Sequence, residues 1–262
     1  MKANTNRAGR FNFDAIAAAY DDARLPVPAD LIADVSSAAG FRAGRRALEV
    51  GAGTGQLTSG LVGHGWDVTA VEPGPRMRDL LAARFGTGVE LVGEPFEEYE
   101  PAGLFDTVWS ANAFHWVDPA VSYAKAADIL GPDGRLVLVW TFTMAEDAVQ
   151  AQLNDQVFAT DWPGLVRPPD GTATTDTLVE QGATEWFACG RFTEPEVRRR
   201  TYRHRFSAEQ YANLQLTFGD MTALTPADRA SLVDGIRAVA ADLTVLNVTY
   251  ASVAMKVDTP GA

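Results

Sequence analysis

The stretch ALEVGAGTGQLT, residues 47–58, places an apolar run directly before three glycines. The glycines are Gly51, Gly53 and Gly55, and an acid, Glu49, stands just ahead of them. Glycine has no Cβ and adopts backbone angles that other residues avoid, so this density predicts a tight turn that lets the backbone approach a ligand. The ligand could be a dinucleotide, a nucleoside triphosphate or a molecule without phosphate.

Strands and helices alternate on both sides of this turn. The apolar pattern predicts strands at 46–50, 67–73, 89–94, 105–112 and 135–140, and helices at 55–63, 74–85 and 119–130. Strands that alternate with helices at this spacing form a parallel sheet with helices on both faces. The sequence therefore predicts an α/β fold around the glycine turn.

The glycine pattern departs from two common phosphate-binding motifs. A dinucleotide fingerprint has the form G-x-G-x-x-G, whereas this stretch reads G-A-G-T-G-Q, with Gln56 at the place of the last glycine. No Lys-Ser or Lys-Thr pair follows, which excludes a P-loop. Glu72 ends the second strand, where a carboxylate can accept hydrogen bonds from both hydroxyls of a ribose. A turn that only leads into a helix is the alternative.

Four motifs in this order resemble class I S-adenosylmethionine-dependent methyltransferases. They are E-x-G-x-G-x-G at 49–55, Glu72, FDTVWSANAFHWVD at 105–118 and LGPDGRLVLVW at 130–140. The sequence is most similar to the small-molecule, methyltransferase type 11-like branch, which carries a His-Trp pair after the fourth strand. The resemblance covers residues 14–140. It implies a Rossmann-like, seven-stranded, mostly parallel sheet whose C-terminal strand is antiparallel, with an N-terminal helical cap and a C-terminal helical lid insert.

We expect a single methyltransferase domain over residues 1–262. Its predicted parts are a helical cap at 14–40, a cofactor-binding core at 44–140, a lid or acceptor insert with one strand at 141–247 and a last strand at 248–257. The strand of the insert is predicted at 195–206. It contains the basic run RRRTYRHR, residues 198–205, which is either a solvated face or a site for an anionic partner.

The resemblance implies S-adenosylmethionine as the cofactor, and Glu49 agrees with it. An acid before the turn suits the cationic amino group of the methionine part, whereas it would repel the pyrophosphate of NAD. Arg24, four residues after Tyr20, would bind the methionine carboxylate, or else pair on the surface with Asp21 or Asp22. The expected cofactor-binding residues are Tyr20, Arg24, Glu49, Gly51, Gly53, Gly55, Glu72, Pro73, Met77, Phe96, Glu97, Ser110 and Ala111.

Several of these positions carry a specific expectation. Met77 would lie under the adenine ring, although a methionine on a helix is also typical of a plain core. In the segment GEPFEEYE, Phe96 would pack on the adenine and Glu97 would accept a hydrogen bond from it. Ser110 and Ala111 would line the methionine tail.

The acceptor site is expected next to the His-Trp pair. His115 follows the fourth strand and could serve as the general base, or it could order the loop. Methyl transfer to an activated methyl group gains much from proximity alone, so a base is not required. Trp116 is predicted to form a wall of the acceptor pocket. Aromatic residues of the insert would line the same pocket or form the lid's own core, and of these Trp162 and Tyr211 are the predicted substrate contacts.

Composition narrows the partners and the compartment. The net charge of −12 disfavours nucleic acid and anionic membranes, and one cysteine, Cys189, excludes an internal disulfide and a cysteine zinc cluster. The first residues, MKANTNRAGRFNF, lack the apolar segment of a signal peptide, and no apolar run approaches the ~18 residues of a membrane span. We expect a cytoplasmic monomer or homodimer that binds no metal, no nucleic acid and no membrane.

The predicted function is methyl transfer from S-adenosylmethionine to O, N or C of a small organic molecule, for which a secondary metabolite is one candidate class. Two alternatives stay open at this point. One is a protein on the same scaffold that uses the bound cofactor structurally or for a rearrangement or cyclisation. The other is an NAD-dependent oxidoreductase, which Glu49 and Gln56 disfavour.

Overall fold

The computed structural model describes residues 12–38, 40, 42–145, 189–218, 224–239 and 242–257. Its strands are β1 (Arg46–Val50), β2 (Asp67–Val71), β3 (Glu90–Val92), β4 (Phe105–Ala111), β5 (Leu130–Ala145), β6 (Glu196–Ser207) and β7 (Asp242–Met255). Its helices are α1 (Asn12–Ala15), α2 (Ala17–Ala23), α3 (Ala29–Ala38), α4 (Thr58–His64), α5 (Pro75–Phe85), α6 (Ser122–Ile129), α7 (Ala208–Leu216) and α8 (Pro226–Val239).

The described strands form one seven-stranded sheet in the order β3-β2-β1-β4-β5-β7-β6. Strands β1 to β5 are parallel to one another, whereas β7 runs antiparallel to both β5 and β6. This arrangement confirms the predicted Rossmann-like, mostly parallel sheet with an antiparallel C-terminal strand. Because the parallel strands end on one side, the loops after β1, β2 and β4 meet at the carboxyl edge of the sheet.

Helices cover both faces of the sheet, as predicted. On one face, Leu31 and Val35 of α3, Leu61 of α4 and Leu81 of α5 belong to the same buried cluster as Val137. On the other face, α6 and the ends of β4 and β5 form a second cluster. Strands β1 and β2 are buried over almost their whole length, which explains their continuous apolar sequences.

The first helix after the glycines begins later than predicted. Helix α4 starts at Thr58 instead of residue 55, because Gly51, Gly53 and Gly55 all have positive φ angles and cannot continue a right-handed helix. The predicted helical cap at 14–40 consists of three helices, α1, α2 and α3, and α1 and α2 are separated by a break at Ile16.

The two longest differences from the predicted boundaries lie in β5 and β7. Strand β5 continues to Ala145 beyond the predicted end at 140, and β7 begins at Asp242 instead of 248. The two strands pair residue by residue from Arg135↔Met255 to Ala145↔Val245, and β6 pairs along the other side of β7. This long-range pairing extends both strands past the point where their own sequences indicate an end.

Candidate active site

The glycine turn lies at the carboxyl end of β1, and its three glycines differ in what they permit. A Cβ on Gly51 would lie 2.5 Å from the Cβ of Ala113, and one on Gly55 would lie 2.8 Å from the ring of Phe85. Both positions are therefore glycine because the protein's own packing requires it. At Gly53 the nearest atoms are 3.9 Å away, so this glycine leaves open space in front of the turn.

Glu49 lies beneath the turn and is buried, with 1% of its surface exposed. The hydroxyl of Thr58 donates a hydrogen bond of 2.7 Å to its Oε2. Burial, with a smaller contribution from the nearby charge of Glu72, raises the pKa of Glu49 from 4.5 to about 8. The carboxyl group therefore holds a proton at neutral pH until a cation arrives beside it.

Glu72 follows β2 and is held by the backbone of two turns. Its Oε2 accepts from the Gly53 N–H and its Oε1 accepts from the Gly74 N–H, each at 2.8 Å. Burial raises the pKa of Glu72, and these two hydrogen bonds together with Arg78 oppose that rise. A carboxylate has about four acceptor positions. Two of them stay available for hydroxyl groups of a ligand.

Helices α1 and α2 close over the turn and contact α5 at both of its ends. At its start, Asp14 Oδ1 accepts from the backbone N–H groups of Arg76 (2.7 Å) and Met77 (3.2 Å), which caps the helix. At its other end, Arg84 donates to both carboxylate oxygens of Asp21 at 2.8 and 2.9 Å and to the Thr54 carbonyl at 2.7 Å. These bonds hold the N-terminal helices α1 and α2 against α5 and the glycine turn.

Arg24 points inward from the end of α2 and bonds a distant segment. Its Nε and Nη2 donate to the hydroxyl and carbonyl oxygens of Thr217 at 2.8 and 3.0 Å, and its guanidinium lies 4.4 Å from the ring centre of Phe218. Burial lowers the pKa of Arg24. Asp21 bonds Arg84 instead, so the surface pair of Arg24 with Asp21 is not formed.

One cavity brings these groups together. Six of the predicted cofactor residues line it: Tyr20, Arg24, Glu49, Gly51, Gly53 and Ala111. The wall is completed by Gln56 from the turn, Asn112 after β4, Thr141 and Thr143 of β5, and Asn247 of β7. An acid and a buried cation thus face the same enclosed space next to the open side of Gly53.

Comparison with known proteins identifies the core around this cavity. Residues 48–138 match a family model described as a methyltransferase domain. An uncharacterized methyltransferase of Mycobacterium tuberculosis is 42% identical over 129 residues, which cover 49% of this chain and 51% of that protein. Residues 48–138 therefore form a methyltransferase domain. This confirms the predicted family. The chain spans about half the length of the curated relatives that it matches.

Solved structures show the same fold. A candidate type II methyltransferase from Anaeromyxobacter dehalogenans superposes with a TM-score of 0.62 at 20% identity and covers 88% of this chain and 97% of its own. An S-adenosylmethionine-dependent methyltransferase from Thiobacillus denitrificans, solved with S-adenosyl-L-homocysteine, gives a TM-score of 0.53 at 14% identity and covers 94% and 98%. The Rossmann-like fold of the methyltransferase is therefore confirmed.

The residues predicted to hold adenine are not among those that line the cavity. Met77 is buried in the first turns of α5, and Phe96 is buried in the cluster beneath α6. Glu97 Oε1 accepts from the Asp118 N–H at 3.2 Å, so this carboxylate orders the loop before α6. Pro73 stands between Glu72 and Gly74, and its carbonyl accepts from Arg78.

Ser110 and Ala111 occupy the end of β4, and only Ala111 lines the cavity of the methyltransferase. The Ser110 hydroxyl donates to the Val50 carbonyl at 2.7 Å, so it ties β4 to the end of β1. Asn112, which the sequence analysis did not select, has a φ of 52° and accepts from the Thr141 N–H through its side chain. Its left-handed backbone turns the loop away from the strand.

His115 and Trp116 lie in a short turn after β4, inside an aromatic group. The His115 ring centre is 5.0 Å from that of Trp116 and 5.3 Å from that of Trp140, while Phe13 of α1 lies 5.7 Å from Trp116. Burial lowers the pKa of His115 to about 4, and its Nδ1 has no hydrogen-bond partner among the described residues. The imidazole is therefore neutral at pH 7.

Of the two remaining predicted acceptor contacts, Trp162 falls outside the described residues, as do Trp186 and Phe187. Tyr211 is buried in α7 within a cluster that includes Phe206 and Leu232, with its ring centre 6.4 Å from that of Phe206. Tyr211 is not among the residues that line the cavity. The structure thus joins most of the predicted tail-binding residues and leaves Tyr211 in a separate cluster.

The basic strand carries ion pairs. Arg198 and Arg200 of β6 both bind Asp34 of α3, and Arg200 also binds Asp30. Arg205 pairs with Asp242. These ion pairs connect α3 to the sheet and β6 to β7.

The described residues contain no group of three or more His, Cys, Asp or Glu side chains that could hold a metal ion. None of their helices is long and apolar enough to cross a membrane. Cys189 is exposed and carries a free thiol.

Proposed function

We propose that this protein transfers the methyl group of S-adenosylmethionine to a nucleophilic O, N or C atom of a small organic molecule. The observation that carries the proposal is the pair of acids on either side of Gly53. Glu49 is a buried acid that accommodates a cation, and Glu72 is an acceptor held in place for hydroxyl groups. A molecule with an ammonium group and a ribose diol matches both.

The rest of this cofactor fits Glu49 and Arg24, which line the cavity, and Glu72, which is not among the lining residues but accepts from the Gly53 N–H beside it. Glu49 would face its amino group, Arg24 its carboxylate, and Glu72 its ribose hydroxyls. The open side of Gly53 leaves room between them. Tyr20, which lies 3.9 Å from a Cβ built on Gly53, would cover the tail from the cap.

The residues that would contact the adenine are also proposed. Met77 and Phe96 are buried near the ends of β2 and β3, where they would pack on the two faces of the ring. Glu97 would accept from the adenine amino group by exchanging its present bond to the Asp118 N–H. Pro73, Ser110 and Ala111 would shape the backbone around the ligand.

When bound, the cofactor supplies a methyl carbon that bonds to the acceptor's nucleophilic atom as the carbon–sulfur bond breaks and its electron pair stays on sulfur. The neutral imidazole of His115 could take the proton that the acceptor loses. Trp116 gives this region an apolar wall, and Trp162 and Tyr211 are the further proposed acceptor contacts. The net charge of −12 disfavours an RNA acceptor and supports a small molecule.

Calorimetric titration tests the proposal. The protein should bind S-adenosylmethionine and S-adenosylhomocysteine with micromolar affinity and should not bind NAD. Glu72→Ala should lose this binding, while Glu98→Ala, which removes an exposed acid, should keep it. Binding of NAD alone, or of no nucleoside, would overturn the cofactor assignment. Binding of S-adenosylhomocysteine without methylation of any acceptor in a broad small-molecule panel would instead favour a protein that does not methylate.

A further inference from the structure

An amide with an unused hydrogen-bonding group lies in the wall of the cavity formed by β5 and β7. Asn247 of β7 stands directly opposite Thr143 of β5. The Thr143 hydroxyl donates to the Asn247 Oδ1 at 2.8 Å. Asn247 is 2% exposed, and its Nδ2 is buried without a partner among the described residues.

The neighbouring pair of residues on the same two strands has its hydrogen bonds satisfied within the protein. Two residues along the same strands, Thr141 and Thr249 satisfy each other through a hydrogen bond of 3.0 Å between their hydroxyls. A buried N–H without a partner costs about 1–3 kcal/mol, and folded proteins contain few of them. Asn247 lines the cavity, unlike Ser252, whose hydroxyl is also buried without a partner among the described residues, so a ligand that enters the cavity can satisfy the unused donor of Asn247.

Arg24 lines the same cavity and has no ion pair with any carboxylate in the part of the chain that the structure describes. Its guanidinium donates hydrogen bonds to Thr217, a neutral residue, which does not compensate its positive charge. A planar guanidinium and an amide N–H are both donors to carboxylate oxygens. The two residues come from α2 and β7, which lie far apart in the sequence.

We propose that Asn247 Nδ2 and Arg24 together form a subsite for a carboxylate group, with Thr143 holding the amide in place. This inference rests on the proposed function and extends it to a residue outside the glycine turn. The carboxylate has two possible sources, the methionine tail of the cofactor or an acid on the methyl acceptor. Glu49 faces the same cavity and would receive an ammonium, so the α-amino acid end of the cofactor fits best.

Two probes separate the sources. S-adenosylhomocysteine and its decarboxylated analogue differ in the carboxylate alone. We expect Asn247→Leu to weaken binding of S-adenosylhomocysteine about tenfold and to change binding of the decarboxylated analogue by less than about twofold. If the acceptor supplies the carboxylate, S-adenosylhomocysteine binding stays constant and benzoate binding to the S-adenosylhomocysteine complex falls by the same factor.

Matched variants distinguish binding from folding. Ser252→Ala also removes a buried polar atom without a described partner from β7, but Ser252 is not among the residues that line the cavity. It should leave all probes unaffected. Asn247→Asp puts an acceptor where the donor was and should weaken carboxylate binding more than Asn247→Leu does. Asn247→Leu removes the unpaired Nδ2 but also the acceptor of the Thr143 hydroxyl; these effects on stability oppose each other, so its thermal midpoint should stay close to that of the unmodified protein.

Two results would overturn the subsite. In one, Asn247→Leu binds S-adenosylhomocysteine, its decarboxylated analogue and benzoate as the unmodified protein does. In the other, it loses stability and weakens every probe equally, which is the signature of a structural role. If the unmodified protein itself binds no S-adenosylhomocysteine, the proposed function fails. That result comes from the unmodified protein, whereas failure of the subsite is seen by comparing the variant with it.

Discussion

The ends of β1 and β2 lie side by side in the sheet, and each presents an acid to the same turn, yet the two acids are held differently. Glu49 is buried, and the residue that donates hydrogen bonds to it is Thr58. Glu72 receives two backbone hydrogen bonds, from Gly53 and Gly74. Burial raises the pKa of both carboxyl groups, and for Glu72 the two backbone donors and Arg78 oppose that rise.

Under the proposed function, this difference would give the two strand ends different tasks. The end of β2 offers a preorganised acceptor whose position changes little when a ligand arrives. The end of β1 offers a group that exchanges a proton for a cationic ligand. The same glycine turn can thus recognise hydroxyls on one side and an ammonium on the other.

The largest expected effect is on stability at the end of β1. The pKa of Glu49 is raised from 4.5 to about 8, so the folded state binds this proton more tightly than the unfolded chain does. Stability is therefore lost as the pH rises from 4.5 to about 8, at about 1.4 kcal/mol per pH unit. Glu49→Gln keeps an acceptor for Thr58 and removes the titration. It should be more stable by up to roughly 5 kcal/mol above pH 8 and equal near pH 4.5.

Urea unfolding between pH 4.5 and 9 measures this difference. Glu98→Gln, which neutralises an exposed acid, is the control and should follow the unmodified protein. If Glu49→Gln shows the same pH profile as Glu98→Gln, Glu49 is ionised in the folded protein, and the contrast between the two strand ends disappears.

Ligand fragments sharpen the comparison next. Glu72→Ala should weaken both S-adenosylhomocysteine and methylthioadenosine by about 10–100-fold, because both carry the ribose and lose a charged hydrogen-bond acceptor. Glu49→Gln should weaken S-adenosylhomocysteine and leave methylthioadenosine, which has no amino group, unaffected. Calorimetric dissociation constants for the four pairs give the answer. Equal losses for both ligands in both variants would contradict the division of tasks.

A smaller effect should appear in the protons exchanged on binding. Since Glu49 must ionise to pair with an ammonium, binding of S-adenosylhomocysteine should release close to one proton at pH 6–7. Affinity should then rise by at most about tenfold per pH unit towards pH 8. Calorimetry in buffers of different ionisation enthalpy measures the proton count, which should fall to near zero in Glu49→Gln. A count unchanged in that variant would place the proton elsewhere.

The smallest expected effect concerns the cap that covers both acids. The Asp21–Arg84 pair is partly exposed, and such pairs contribute about 1 kcal/mol or less. Asp21→Asn should therefore lower the affinity for S-adenosylhomocysteine by about two- to fivefold, mainly through faster dissociation. Asp22→Asn, on the neighbouring exposed position, is the control for a change of charge. A stopped-flow dissociation rate equal in the two variants would show that this pair does not hold the cap.

The sequence predicts the β1 and β2 ends well because their information is local. Glu49, Gly51, Gly53 and Gly55 lie within seven residues, and Glu72 follows the next strand. The register of parallel strands then places them at one edge. The proton affinity of Glu49 was not predicted, because it depends on burial by segments that are distant in sequence.

The opposite wall of the cavity shows where sequence reasoning fails. Thr143 and Asn247 are 104 residues apart, and Arg24 and Thr217 are 193 apart. Neither pair has a local pattern that marks it, and the lengths of β5 and β7 depend on their mutual pairing. One local signal was available for Asn247. It is a polar residue in the mostly apolar stretch TVLNV, at the start of the last strand.

The bonds between Arg24 and Thr217 also bear on how the protein is made. The glycine turn and both acids leave the ribosome long before Thr217 does, and Asn247 follows later still. A growing chain can therefore complete the ribose side of the site early, while the side that faces the tail waits for the final strands. Tight cofactor binding should arise only after β7 has been synthesised and paired with β5, which makes it a reporter of that pairing.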